Sequence, residues 1–259
     1  MTSLLFNLYF YALTAFYALV GAPLALLPSP MPLRRWIFAW SRSVRFGMKH
    51  IAGITLEIRG REFMPKNETA IIASKHHSYI DAVLLYSEMP DIAAVAMAEL
   101  ADVPFVGLVF KKLGMIMIDR SGGKGAHHLA SGAGRAIKES RPILIYPEGH
   151  IPEVGARVPF KKGVWHLQQT SGLAVVPVAT NIGLRWSQNK WVKTRGHAVV
   201  EFLAPVEPGM DREPFMAELE ARIEQQTDAL LAEAGFRRPL TRAVAPRPMP
   251  ANLALIPDV

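Results

Sequence analysis

Ala70-Ile71-Ile72-Ala73-Ser74-Lys75-His76-His77-Ser78-Tyr79-Ile80-Asp81 reads as a short apolar strand, a polar loop and the opening turn of a helix. Working outward, comparable apolar, β-branched runs recur at 54–58, 92–96, 115–118, 143–146, 174–179 and 198–203. Helix-length segments lie between several of them, at 80–88, 127–139 and 164–170. Strands that alternate with helices predict an α/β fold with a mixed, largely parallel sheet flanked by helices. A last helix is expected over 214–234: Asp211 precedes it, Pro214 suits its first turn, Phe215, Leu219, Ile223, Leu230 and Leu231 share a face, and Gly235 stops it. From Arg237 onward Pro239, Pro246, Pro248, Pro250 and Pro257 argue against regular structure and for a flexible tail.

Two readings of the 74–81 loop remain open on spacing alone. Ser78-x-x-Asp81 matches a capping box, with Ser78 as N-cap and Asp81 at the third helical position. That leaves His76 unexplained. In the second reading His76 sits on the loop at the carboxyl end of a strand, where open α/β sheets put their sites, with Asp81 one helical turn away. An imidazole so placed can take a proton from a hydroxyl if a carboxylate fixes its tautomer. His76-His77 and His127-His128 are not in a metal-ligand spacing, so no metal is expected.

Composition narrows the partners. There is no cysteine, which excludes a disulfide framework, a thiolate metal site and a cysteine nucleophile. Twenty-nine Lys and Arg against 22 Asp and Glu give a net charge of +7, which favours an anionic partner. The first 33 residues carry no charged side chain, and the apolar run over 4–27 is long enough to cross a bilayer or to lie in its interface. Positive charge before the run, which a secretory signal needs, is absent; Tyr9, Tyr11 and Tyr17 suit a headgroup boundary. Arg34, Arg35, Arg42, Arg45 and Lys49, interleaved with Trp36, Ile37, Phe38, Trp40, Val44 and Phe46, predict a second, basic amphipathic helix that keeps the rest of the chain on the cytoplasmic side. The expected organisation is membrane-associated helices over 1–51, an α/β domain over 52–236 and a Pro-rich tail over 237–259.

Three further stretches stand out, each weak alone. Gly114-Met115-Ile116-Met117-Ile118-Asp119-Arg120 delivers a charged pair at a strand end. Ile143-Leu144-Ile145-Tyr146-Pro147-Glu148-Gly149 is a buried strand ending in a tight turn. Val175-Val176-Pro177-Val178 places a proline inside an apolar strand, the mark of a sheet edge or a bulge. Taken together and in this order, the four stretches resemble the motif blocks of the glycerolipid acyltransferases, notably the bacterial lysophosphatidate acyltransferases, over about 54–203. The resemblance implies transfer of a fatty acyl group from an acyl carrier protein or coenzyme A thioester to a lysolipid hydroxyl, with no cofactor. The acceptor it favours is 1-acyl-glycerol-3-phosphate, giving phosphatidate at the cytoplasmic face of a bacterial inner membrane. It assigns His76 and Asp81 as the catalytic pair, and gives Arg120, Glu148, Gly149 and, within Phe160-Lys161-Lys162-Gly163, Lys161 to acceptor binding and site architecture.

Two positions depart from that pattern. The third block usually continues Gly-Thr-Arg, and here Gly149 is followed by His150 and Ile151; Met97 stands where the family commonly has a lysine. Both missing cations are associated with the acceptor's phosphate, so Arg157, Lys161, Lys162 or His150 is expected to replace them. The alternative acceptor is a lysolipid without that phosphate, such as a lyso-ornithine lipid, for which restoring Arg at 151 brings no gain. A serine hydrolase is excluded by the lack of a Gly-x-Ser-x-Gly elbow. A non-enzymatic basic membrane-binding protein explains the charge and the N-terminus but none of the motif blocks; nucleic-acid binding gains nothing from an uncharged apolar start.

Overall fold

The computed structural model describes residues 2–66, 68–102, 106–118, 125–188, 191–236 and 241–242. In chain order the elements are α1 (Thr2–Gly21), α2 (Met31–Gly47), β1 (Ile54–Arg59), β2 (Ile71–Ser74), α3 (Asp81–Tyr86), β3 (Ala93–Met97), α4 (Val106–Leu113), β4 (Ile116–Ile118), α5 (Gly125–Lys138), β5 (Ile143–Ile145), β6 (Ala156–Arg157), α6 (Gly163–Ser171), β7 (Val175–Thr180), β8 (Gly196–Phe202), α7 (Arg212–Glu233) and β9 (Thr241–Arg242). Every strand expected from an apolar run is present. The eight-residue helix α4 was not expected, because two turns give too little periodicity to register. Asp211 precedes α7 as expected but makes no side-chain capping bond.

Seven strands form one sheet in the order β1-β8-β7-β2-β5-β3-β4. Among the described strands only β7 and β8 pair antiparallel, so β8 and β1 run against the other five. The short central strands are buried on both faces, as parallel strands covered by helices must be. Their alternation assigns the layers. Ile72, Leu144 and Val176 face a core shared with Leu33, Val44 and Met48 of the N-terminal region and Leu84 and Leu85 of α3. Ile71, Ala73, Ile143 and Val175 face the opposite core, with Leu129 of α5, Val164 and Leu167 of α6, and Phe215, Leu219 and Ile223 of α7.

The expectation for Pro177 needs one correction. β7 is an interior strand, buried along its whole length, and not an edge. The bulge alternative is what occurs. Val175 pairs with Val206 and Val178 with Phe202, so three steps along β7 face four along the opposing segment. The Pro177 carbonyl accepts from Leu203 N–H on that side, where its ring nitrogen has no hydrogen to give. The tail expectation is also modified: Thr241 and Arg242 form β9, parallel to Ala156 and Arg157 of β6. The other residues of 237–259 lie outside the described residues.

α1 and α2 form an antiparallel pair. Tyr9 Oη donates to the Ser43 carbonyl (2.8 Å), Trp40 Nε1 to Thr14 Oγ1 (3.3 Å) and Trp36 Nε1 to the Tyr17 carbonyl (2.8 Å). Gly47 admits the Tyr9 ring, because a Cβ there would lie 2.1 Å from Tyr9 Cε1. α2 is fixed to the sheet domain by a buried arginine whose partners lie nearer the surface: Arg34 pairs with Glu139 at 2.6 Å and Asp91 at 3.1 Å. Arg141, fully buried, meets Glu139 at 3.2 Å and donates to the carbonyls of Asp91 (3.0 Å), Ile92 (3.2 Å) and Leu113 (2.8 Å). Replacing Arg141 by Met removes these donors from buried carbonyls and leaves Glu139 short of a cation. It should cost about 3 kcal/mol or more and lower the thermal midpoint by about 10 °C. The exposed Arg35→Met control should leave that midpoint in place.

Candidate active site

The carboxyl ends of β2, β5 and β7 lie side by side at one edge of the sheet, since the three strands are adjacent and parallel. The register that pairs Ala73 with Ile145 brings His76 level with Glu148 when carried three residues further. The structure brings both together. The His76 backbone N–H donates to Glu148 Oε1 at 3.1 Å, and the imidazole stacks on the Tyr146 ring with centroids 3.9 Å apart and planes at 15°.

Asp81 organises the loop before it. One buried oxygen, Oδ2, accepts from the backbone N–H groups of His77 (2.7 Å) and Ser78 (2.8 Å) and meets His76 Nδ1 at 2.9 Å. The bond to Ser78 N–H is the reciprocal half of the expected capping box, whereas Ser78 Oγ accepts from Ile80 N–H at 3.4 Å and not from the third helical position. The capping reading and the histidine reading therefore share one carboxylate. An ionised carboxylate can only accept, so Nδ1 carries the proton and Nε2 is left as the basic nitrogen. The His76 side chain keeps 18% of its surface open while Asp81 is buried, the arrangement needed for a base that must meet a substrate.

Of the two roles the resemblance gave the Glu148–Gly149 turn, acceptor binding and site architecture, the contacts of Glu148 match the second. It is completely buried, with Oε1 on His76 N–H and 3.3 Å from Lys75 Nζ. The carboxylate is thereby tied to the loop that carries His76. Lys75, also buried, meets Glu224 of α7 at 2.5 Å, and Arg157 approaches the other Glu224 oxygen at 3.9 Å while pairing with Asp228. Burial pushes the Glu224 carboxyl up, against the pull of the Lys75 ammonium. Arg157 is thus committed to α7 carboxylates and is not the spare cation expected near the turn. Gly149 closes the turn with φ of 73°, its N–H on the Tyr146 carbonyl at 3.0 Å. Lys161 is exposed and fastened beside the turn by its own N–H on the Pro147 carbonyl at 2.7 Å. His150 is half-buried and places Nδ1 3.1 Å from the Glu148 carbonyl. Asp119 and Arg120 lie outside the described residues.

Sequence reasoning missed Lys75, Tyr146 and Glu224. A lysine directly after a buried strand was a signal, since such a charge demands a partner; nothing local named that partner as a helix some 150 residues on. Burial, then the charges of Asp81 and Glu148, push the Tyr146 phenol well above its ordinary value, so it stays neutral and acts through its ring face. His77, buried beside the pair, is driven down to about 3 by burial and then by Lys75. Among the described residues no three His, Asp or Glu side chains converge as metal ligands.

A family model described as Acyltransferase matches residues 55–181, which take in the whole of this site up to β7. Over 230 residues the chain is 32% identical to the 1-acyl-sn-glycerol-3-phosphate acyltransferase of Pseudomonas aeruginosa, covering 86% of this chain and 89% of that protein. The chain belongs to the acyltransferase family. A yeast acyltransferase of the same description, from Saccharomyces cerevisiae, is 29% identical over 85% of this chain and 74% of its own length. The crystal structure of the 1-acyl-sn-glycerophosphate acyltransferase PlsC from Thermotoga maritima superposes with a TM-score of 0.73 at 20% identity, covering 90% of this chain and 98% of that one, so the two acyltransferases share a fold.

Two measurements probe the buried charges of this acyltransferase. Lys75→Met takes the ammonium from between Glu148 and Glu224, leaving Glu148 without its cation and Glu224 with only Arg157 at 3.9 Å, so acyl transfer should fall by on the order of tenfold to a hundredfold, more steeply at pH 8 than at pH 6, where one carboxyl can take up a proton. A pH-independent loss would contradict this account. His77 has a depressed pKa, so the unfolded chain binds the extra proton between about pH 6.5 and 3. Its contribution to stability is therefore complete above 6.5 and is lost as pH falls. His77→Gln should remove about 2 kcal/mol of the stability difference between pH 7 and pH 5, read from denaturation midpoints at the two pH values.

Proposed function

We propose that the protein acylates the free hydroxyl of 1-acyl-glycerol-3-phosphate, taking the acyl group from an acyl carrier protein or coenzyme A thioester and giving phosphatidate at the cytoplasmic face of a bacterial inner membrane. The observation that carries the reading is the His76–Asp81 contact of 2.9 Å, held by an Oδ2 that also binds two backbone N–H groups, in a chain of this family. The relatives from Pseudomonas aeruginosa and Saccharomyces cerevisiae bear the name of this reaction, which supports the choice of acceptor.

His76 Nε2 takes the proton of the acceptor hydroxyl as its oxygen attacks the thioester carbonyl. Asp81 stabilises the imidazolium that forms, and the Tyr146 ring face keeps the imidazole plane fixed. The tetrahedral intermediate collapses with the C–O bond made and the C–S bond broken, and the proton passes from the imidazolium to the departing thiolate. A thiolate is a good leaving group, since thiols ionise near pH 8.5, so a single base suffices. Lys161, beside the Glu148–Gly149 turn, and Arg120 are the cations we assign to the acceptor's phosphate; with Met97 and Ile151 in place of the usual cations, more of that task falls to them.

The N-terminal pair supports docking on the bilayer. Thr2–Leu26 is long and apolar enough to cross a membrane by length and composition. Along its length, however, α1 bonds to α2, and α2 is tied to the sheet domain through Arg34. A spanning α1 would drag those ions into hydrocarbon, at a cost of several kcal/mol per charge. We therefore read α1 as lying in the interface, with Leu4, Leu8, Phe16 and Leu19, all exposed, turned to lipid.

Purified protein given a labelled acyl thioester and a panel of lysolipids should label phosphatidate; label confined to an ornithine lipid would overturn the acceptor assignment. His76→Ala should lower turnover by about 10²–10⁴-fold with vesicle binding unchanged, and Asp81→Asn should act in the same direction. Full activity in His76→Ala would overturn the mechanism.

A further inference from the structure

The connection from β7 to β8 leaves the active-site loop and ends against α1. Near its start Gly183 lies on His77: a Cβ there would meet the His77 carbonyl oxygen and Cβ, each at 3.0 Å. Further on, Gln188 Nε2 donates to the hydroxyl of Tyr79, an exposed residue of the same loop as His76, at 3.1 Å. At its far end Trp191 and Val192 are 55% and 65% exposed. Two adjacent apolar side chains presented to water in this way need a reason, because nothing in the fold requires them outside.

Two polar side chains of α1 hold this segment. Asn7, the polar residue buried within α1, donates to the Trp191 carbonyl at 3.0 Å. Ser3 Oγ accepts from Lys193 N–H at 3.0 Å and stands 3.2 Å from the Lys193 carbonyl. The Trp191 ring lies against Tyr11, centroids 5.9 Å apart. Leu4, Leu8 and Tyr11 share one exposed face of α1 by their helical spacing, so Trp191 and Val192 prolong that face. Lys193 stays behind it, its ammonium 4.6 Å from the centre of the Trp186 ring.

We propose that Trp191 and Val192 form a second membrane-inserting element, which with α1 seats the protein on a lipid bilayer. The occupant we assign to this surface is the headgroup and upper acyl region of the bilayer, not a second copy of the chain. A Trp beside a Tyr at the border of an apolar face is the pairing that favours this depth, and through Tyr11 the surface is continuous with the face of α1. The proposal rests on the docking of α1 argued above. Through Gln188–Tyr79 and Gly183–His77 the same segment reaches the loop that carries His76, so insertion sets the distance between that loop and the lipid that supplies the acceptor.

The test uses the full-length protein and vesicles of phosphatidylglycerol and phosphatidylethanolamine, with and without brominated acyl chains. Brominated lipid should quench wild-type tryptophan fluorescence, and Trp191→Phe, which preserves packing, should lose a measurable part of that quenching. The double variant Trp191→Ser, Val192→Ser should bind vesicles roughly tenfold more weakly, the loss expected when one large apolar side chain stays in water. Its turnover should fall on vesicle-embedded lysolipid and remain at the wild-type level on a short-chain, water-soluble lysolipid. If wild type binds vesicles but Trp191→Phe is quenched identically and the double variant binds equally well, the second element is refuted while docking through α1 stands. If wild type binds no vesicles, the docking of α1 falls too. A dimer in solution that the double variant abolishes would also overturn the proposal, giving this face to a second copy.

Discussion

A single carboxylate oxygen, Asp81 Oδ2, fixes the geometry on which the chemistry depends. By accepting from His77 N–H and Ser78 N–H it holds the loop after β2 in one conformation, and by meeting His76 Nδ1 it fixes the imidazole's tautomer. A carboxylate bound to two backbone donors has little freedom to move, so the base it orients is pre-organised before substrate arrives. Removing that oxygen would release the backbone and the ring together.

A second constraint comes from beneath the loop. Glu148, Lys75 and Glu224 form a buried run of alternating charge that continues to Arg157 and Asp228. Such a chain gains little net stability over apolar packing, but once formed it tolerates no missing member. Its effect is positional. Glu148 binds the His76 backbone from the turn after β5, Lys75 binds Glu148 from the end of β2, and Glu224 binds Lys75 from α7, so three separate elements agree on where His76 sits.

The N-terminal helices extend this logic outward. α2 packs on the same face of the sheet as α3 and is locked by Arg34 and Arg141, leaving α1 supported on one side and apolar on the other. Placing an apolar face on a rigid body that also carries the base lets the membrane surface and the reacting nitrogen keep a fixed relation. The connection between β7 and β8 ties the two ends of that body together through Asn7 and Ser3 at one end and Tyr79 at the other.

The amino-acid order by itself determined the seven strands, their α/β character, the apolar N-terminus with its basic companion helix, and the His76–Asp81 spacing, because each of these is written in local periodicity or in a separation of a few residues. Tertiary structure alone decided that β7 is an interior strand with the bulge opposite Pro177, that Glu148 is buried under the loop, that Arg157 is occupied by α7, and that Trp191 joins α1. Those outcomes depend on which strands become neighbours and in what register, and on partners such as Lys75 and Glu224 that lie far apart along the chain. A long-range pairing of that kind leaves no periodic trace for local patterning to read.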